Sequence, residues 1–200
     1  MPDADLSLAV PAVFFGAVGT AGQRCTSTRR LYVHRSISED FLSRLKSLYV
    51  ALQPGDPLVQ GTHLGPLHTR KAIDIYTQAI LNLQQSGANI LVGGQRYEQD
   101  ALLAGNFVQP TIVIPKEIDM KSAIWSTETF APILNVAVFD ELEEAIEWNN
   151  AVPQGLSSTL WTRDVRNIGK WLGPAGSDTG IVNVSFWWSK IFVSNVHFER

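Results

Sequence analysis

Cysteine is almost absent: Cys25 is the single one in 200 residues. One thiol excludes an internal disulfide framework and a cysteine-based zinc site, and it fits a reducing compartment. Positive charge is not in surplus either. Sixteen Lys and Arg stand against 19 Asp and Glu, so no basic field exists to draw in nucleic acid. Long apolar runs are missing as well. The uncharged stretch from Leu6 to Gln23 is broken by Pro11, Gly16, Gly19 and Gly22, and its apolar part, Ala9 to Val18, is too short to cross a bilayer. No membrane association is expected. A secretory signal opens on positive residues, and none precedes Arg24; with no transit peptide visible, a cytoplasmic or mitochondrial location is expected. What is present is ordinary for a folded protein: 45% hydrophobic and 18% charged residues, which rules out disorder. A chain of this length makes one large domain with a sizeable core.

The pattern of apolar residues predicts alternating helices and strands. Leu6, Val10, Val13, Phe14 and Ala17 recur at helical spacing before Gly19 and Gly22. Arg30–His34 reads as a strand. Ser36 and Glu39 have the spacing of a capping box, opening a helix that carries Phe41, Leu45 and Tyr49 on one face and stops by Pro54. A second helix is predicted from Thr69 to Gln85, followed by a short strand at Ile90–Val92. Phe107–Ile114 is β-rich, and Pro110 makes it an edge or interrupted strand. Ile133–Phe139 is a clean strand, with Asp140 as cap of the helix that follows to Asn149. Leu156–Trp161, Asp164–Leu172 and Gly180–Val184 continue as strand, helix and strand. This order argues an α/β fold with a largely parallel sheet flanked by helices. The expected division is a domain over residues 1–184 and a compositionally distinct aromatic tail over 185–200, which holds Phe186, Trp187, Trp188, Phe192 and Phe198.

Two segments could carry chemistry. In the first, Gly19-Thr20-Ala21-Gly22-Gln23-Arg24-Cys25, a thiol follows a glycine-punctuated turn. Glycines allow close backbone approach to a ligand. A thiol there can attack a carbonyl carbon, with local N–H groups stabilising the oxyanion; the same residues also fit a small buried cysteine in a turn. In the second, Glu128-Thr129-Phe130-Ala131-Pro132, a carboxylate beside an aromatic could accept hydrogen bonds from ribose hydroxyls while the ring packs on a flat heterocycle. A surface glutamate and a core phenylalanine fit that segment equally. His63 and His68 lie in one loop, but no third ligand is near, so no metal site is expected. Gly173-Pro174-Ala175-Gly176 follows a helix and precedes a strand, the reverse of a phosphate loop, and reads as a helix stop.

Taken together, these two segments resemble the nucleophile segment and the second signature of the aldehyde dehydrogenase superfamily. Asn149-Asn150, Gly155-Leu156-Ser157-Ser158 and Gly180-Ile181-Val182-Asn183-Val184 match in the same order. Leu64-Gly65-Pro66-Leu67-His68-Thr69 and Trp171-Leu172-Gly173-Pro174 are similar to the branch that oxidises α-aminoadipic semialdehyde, an intermediate of lysine catabolism. The resemblance implies NAD-dependent oxidation of an aldehyde to a carboxylate through a cysteine thiohemiacetal and thioester. In it Cys25 is the nucleophile, Glu128 holds the nicotinamide ribose, Phe130 packs near the nicotinamide, and Arg24 meets a substrate carboxylate. It implies a homo-oligomeric parent enzyme. It also places the cofactor domain, the general-base glutamate and an oxyanion-hole asparagine before Asp3, so the chain is expected to be a catalytic-domain fragment with negligible activity alone. The rivals are a non-catalytic chain that associates with full-length subunits, and a cysteine hydrolase for which no activating histidine is evident.

Overall fold

The computed structural model describes residues 1–97, 102 and 105–185. Helix α1 (Leu6–Val18) starts where Asp5 accepts a hydrogen bond from the Ser7 N–H at 2.9 Å. A 3₁₀ turn, Gly19–Gly22, follows and leads to strand β1 (Arg30–His34) and helix α2 (Arg35–Val50). The expected capping box at Ser36 is not formed. The cap of α2 is His34, whose Nδ1 accepts from the Ser36 N–H, so the helix begins one residue before Ser36. Helix α3 (Arg70–Gln85) opens on Thr69, whose hydroxyl accepts from the Ala72 N–H.

Strands β2 (Asn89–Val92), β3 (Thr111–Ile114) and β4 (Ile133–Phe139) complete a four-stranded sheet of order β1-β4-β3-β2. β1 and β3 both run parallel to β4, and β2 is antiparallel to β3. Pro110 interrupts the β-rich run without placing it at an edge: β3 starts one residue later and lies inside the sheet, while Val108 makes only an isolated bridge to Arg96. Ile112, Val113, Leu134 and Val136 are buried on β3 and β4, each worth about 1.5–3 kcal/mol of transfer free energy. Their companions are Phe41, Leu45 and Tyr49 of α2 and Ile73, Tyr76 and Ile80 of α3.

A short helix, α4 (Ala123–Ser126), precedes β4; four residues are too few for a periodic signal, and it was not expected. Helix α5 (Leu142–Asn150) follows β4. Its cap is Glu141, in a reciprocal capping box with Glu144, and not Asp140. The Asp140 carboxylate is engaged by Arg35, with contacts of 2.7 and 2.8 Å. Strands β5 (Ser157–Trp161) and β6 (Ile181–Ser185) pair in parallel as a second, two-stranded sheet, connected by helix α6 (Val165–Leu172). Leu142, Ile146, Leu160 and Trp171 form the core of this part. Ser185 ends β6; residues 186–200 of the aromatic tail lie outside the described residues. Among the described residues no helix is long and apolar enough to cross a membrane.

Asp3 fastens the segment before α1 to the loop after β5. Its carboxylate accepts from the Thr162 hydroxyl and from the Arg163 and Asp164 N–H groups. Burial alone would raise its pKa, but these hydrogen bonds outweigh it and hold the carboxyl below the usual range. A carboxyl lowered on folding contributes stability that is present above its unfolded pKa, about 3.9, and is lost as pH falls through the lower folded value. Urea unfolding of Asp3→Asn across pH 2–6 is therefore expected to show a shallower acid limb than the parent chain. Identical limbs would exclude the clamp.

Candidate active site

The two motif segments meet backbone to backbone. Gly22 has φ +68°, and a Cβ there would sit 2.7 Å from the carbonyl carbon and oxygen of Ala131 and 2.8 Å from the Pro132 nitrogen. Only glycine permits both the left-handed backbone and that approach. The preceding Thr20 and Ala21 also have positive φ, 56° and 53°, so this turn is tightly wound just before the thiol. Further back, the Thr28 N–H donates to the Gly16 carbonyl at 2.9 Å, returning the chain toward α1 on its way into β1.

Arg29 fastens the two segments together. Its Nε donates to Glu128 Oε1 at 3.0 Å, and Nη1 to the Ala131 carbonyl at 3.4 Å. Its Nη2 donates to the carbonyls of Gly22 (3.1 Å) and Arg24 (3.0 Å). The guanidinium also lies 5.0 Å from the centroid of the Phe130 ring, within cation–π range. The Arg29 side chain is 16% exposed and that of Glu128 34%, so part of this pair is shielded from water. Sequence reasoning missed Arg29. Its carboxylate and carbonyl partners at Glu128 and Ala131 lie about a hundred residues downstream, and no local pattern marks it.

Gln23 fixes the other flank. Its Oε1 accepts from the His68 N–H at 2.9 Å and contacts His68 Nδ1 at 2.8 Å; its Nε2 donates to the Thr20 carbonyl at 3.1 Å and, at 3.4 Å, to the Pro66 carbonyl. This engages His68 with Gln23. His63 Nδ1 accepts from the Gln53 N–H. Among the described residues no three His, Cys, Asp or Glu side chains gather as a metal site.

Cys25 is exposed, not packed as a small core residue. Arg24, Cys25, Glu128 and Phe130 all line one cavity of about 1180 Å³, which extends from this corner between β1 and β5. Arg24 is half-buried, with its guanidinium 5.9 Å from the Phe15 ring centroid. Phe130 is 38% exposed and is held at φ +49°, a conformation that costs an ordinary side chain about 1–2 kcal/mol. Among the described residues of the lining, Glu128 is the one carboxylate and no histidine is present. The arrangement presents an accessible thiol on a tightly wound turn, with the Arg24 guanidinium and a carboxylate–aromatic pair lining the same hollow.

A family model described as the aldehyde dehydrogenase family matches residues 1–194. The chain is 50% identical over 185 residues to aldehyde dehydrogenase family 7 member A1 of Pisum sativum, covering 92% of this chain and 35% of the relative. It is 46% identical over 183 residues to the α-aminoadipic semialdehyde dehydrogenase of Bos taurus, covering 92% of this chain and 33% of that protein. A betaine aldehyde dehydrogenase of Staphylococcus aureus, solved in complex with NAD⁺, superimposes with a TM-score of 0.82 at 27% identity, over 91% of this chain and 35% of that one. The chain spans about a third of the length of the curated relatives it matches. With a family model over nearly its whole length, an α/β fold shared with solved members, and branch relatives at 46–50% identity, this chain belongs to the aldehyde dehydrogenase family.

Proposed function

We propose that the chain carries the nucleophile and part of the cofactor site for NAD-dependent oxidation of an aldehyde to a carboxylate. The observation that carries this reading is the convergence of an exposed Cys25 with Glu128 and Phe130 on one cavity, joined through Arg29 and the Gly22–Ala131 approach. The Cys25 sulfur adds to the aldehyde carbon, forming a thiohemiacetal whose oxyanion is met by local N–H groups, the Cys25 amide among them. NAD, when bound, supplies the hydride acceptor that takes this adduct to the thioester, which water then cleaves.

The residues present fit the nicotinamide end of such a cofactor. Arg29 takes Glu128 Oε1 and leaves Oε2 to accept from a ribose hydroxyl, while the half-exposed Phe130 ring offers a flat apolar surface. Arg24, beside the thiol, suits a substrate with a distal carboxylate. That chemistry matches an aminoadipic-semialdehyde-like aldehyde, as the names of the relatives suggest.

Among the described residues the lining holds no histidine, and its one carboxylate, Glu128, is paired with Arg29 through Oε1. Loss of a general base costs about 10²–10⁴ in rate, so the chain by itself is expected to form the adduct and turn over negligibly.

Because Cys25 is the sole thiol, its alkylation by iodoacetamide reads the site without needing turnover. An aldehyde bearing a carboxylate is expected to slow alkylation at least threefold more than its effect on free cysteine, and more than an uncharged aldehyde of equal length does. Arg24→Ala is expected to erase the difference between the two aldehydes while leaving the protection itself. Alkylation indifferent to both aldehydes would refute the assignment of Cys25.

A further inference from the structure

Gln23 ties the turn before the thiol to a loop outside the cavity lining. The Thr20 carbonyl takes two donors from this one residue, the Gln23 N–H and the side-chain Nε2, each at 3.1 Å. Thr20 and Ala21 hold left-handed φ values of 56° and 53°, which ordinary residues resist, so the turn keeps its shape only where its surroundings hold it. The far end of Gln23 reaches a loop that is itself fixed. Leu67 is buried and its N–H donates to the Asn106 carbonyl at 2.8 Å, and Thr69 caps α3. His68 stands between these two anchored residues.

The hydrogen bonds fix each orientation in this link. Gln23 Nε2 meets two carbonyls, those of Thr20 and Pro66. Turning the amide over would set an oxygen against both, so Oε1 is the atom that faces His68. That oxygen only accepts. It takes the His68 N–H at 2.9 Å and lies 2.8 Å from His68 Nδ1, so this ring nitrogen carries a proton. The other two described histidines are the reverse. His34 Nδ1 accepts from the Ser36 N–H, and His63 Nδ1 from the Gln53 N–H, which leaves the proton of each neutral ring on Nε2. Gln23 lines the cavity together with Arg24 and Cys25, and His68 does not. His68 therefore reaches the thiol through Gln23 and not by touching a guest.

We propose that His68 is a positioning residue for the nucleophile turn. Donating from Nδ1, it orients the Gln23 amide, and the amide holds the left-handed turn of Thr20, Ala21 and Gly22 in the shape that presents Cys25. A ring that only filled space would not need this tautomer. Its service to the reaction rests on the reading of Cys25 as nucleophile; the link itself does not. Two substitutions separate the donor from the ring. His68→Asn places an amide Nδ2 as many bonds from Cα as the imidazole Nδ1 and keeps a donor there. His68→Leu keeps an apolar bulk and donates nothing.

Nitrogen-15 NMR of the full 200-residue chain at about pH 8, above the usual histidine pKa of about 6.5, reads the tautomer. The ring signal that disappears in His68→Leu is expected to be the Nδ1–H form in the parent, and the Nε2–H form that water favours in Gln23→Met. Amide hydrogen exchange reads the turn. Exchange at Gln23 and Arg24, whose N–H groups bond to Thr20 and Ser27, is expected to speed at least tenfold in His68→Leu and to stay within threefold of the parent in His68→Asn. Tyr76 and Ile80 of α3 should be unchanged in both, which also shows that the variants are folded. Protection of Cys25 by the carboxylate-bearing aldehyde is expected to weaken at least threefold in His68→Leu and to survive in His68→Asn. An Nε2–H ring in the parent, exchange in His68→Leu equal to that of the parent, acceleration that is equal in the Asn and Leu variants or that extends to α3, or full protection in His68→Leu would each overturn the proposal. If the parent shows no aldehyde protection, the assignment of Cys25 falls, and the tautomer and the exchange still decide whether His68 holds the turn.

Discussion

Gly22→Ala is expected to cost about 3–5 kcal/mol of folding stability, from a left-handed backbone that alanine resists and an overlap that must be relieved. Both causes act at the same atom. The new Cβ would lie 2.7 Å from the Ala131 carbonyl carbon and oxygen, which are backbone atoms two residues before β4 and cannot rotate aside. Two controls separate the causes. Gly61 also has a positive φ, +91°, but open space around its Cβ position, so Gly61→Ala measures the backbone cost alone, about 1–2 kcal/mol. Gly16 is helical and meets the Thr28 hydroxyl, a side-chain atom that can turn away, so Gly16→Ala should stay within about 1 kcal/mol of the parent. Urea denaturation of the three variants gives the comparison. A Gly22→Ala midpoint equal to that of Gly61→Ala would show that the two motif segments do not touch as described.

Arg29→Gln is expected to lower stability by about 2–3 kcal/mol, or roughly 4–12 °C in Tm for a chain of this size. The figure is discounted for the part of the Glu128 pair that water screens. The guanidinium serves one carboxylate and three backbone carbonyls at once. A lysine ammonium is compact and lacks the planar fork, so Arg29→Lys should recover less than half the loss. The effect should also reach the thiol, because the Gly22 and Arg24 carbonyls flank the turn that presents it. Alkylation of Cys25 is expected to change at least threefold in Arg29→Gln. Salt distinguishes this clamp from an ordinary surface ion pair: 1 M NaCl screens the latter but leaves the carbonyl bonds in place. If 1 M NaCl brings the parent chain to the stability of Arg29→Gln, the clamp is only a surface pair.

Much of the fold was legible where the signal is local. β1 and β4 have the bounds that their apolar pattern implies, and α3 starts at the residue after Thr69, whose hydroxyl caps it. Legibility failed where a partner lies far along the chain. Asp140 has the chemistry of a cap, but Arg35, 105 residues earlier, takes it; the role then passes to Glu141. Ser36 and Glu39 have capping-box spacing, but His34, two residues earlier at the end of β1, caps first. Pro110 was read as making an edge or interrupted strand; the run is interrupted there, but the pairing of β2 with β3 keeps β3 off the edge. For the candidate site, the residue types and their order were readable, whereas what joins them was not. Neither the Gly22–Ala131 approach nor the reach of Arg29 across both segments leaves a mark in either stretch of sequence.

Phe130 has its own implication. A bulky residue kept at φ +49° stores conformational energy that any relaxation of that peptide gives back, about 1–2 kcal/mol. Phe130→Gly is therefore expected to recover that backbone cost while giving up the ring's contact with the Arg29 guanidinium.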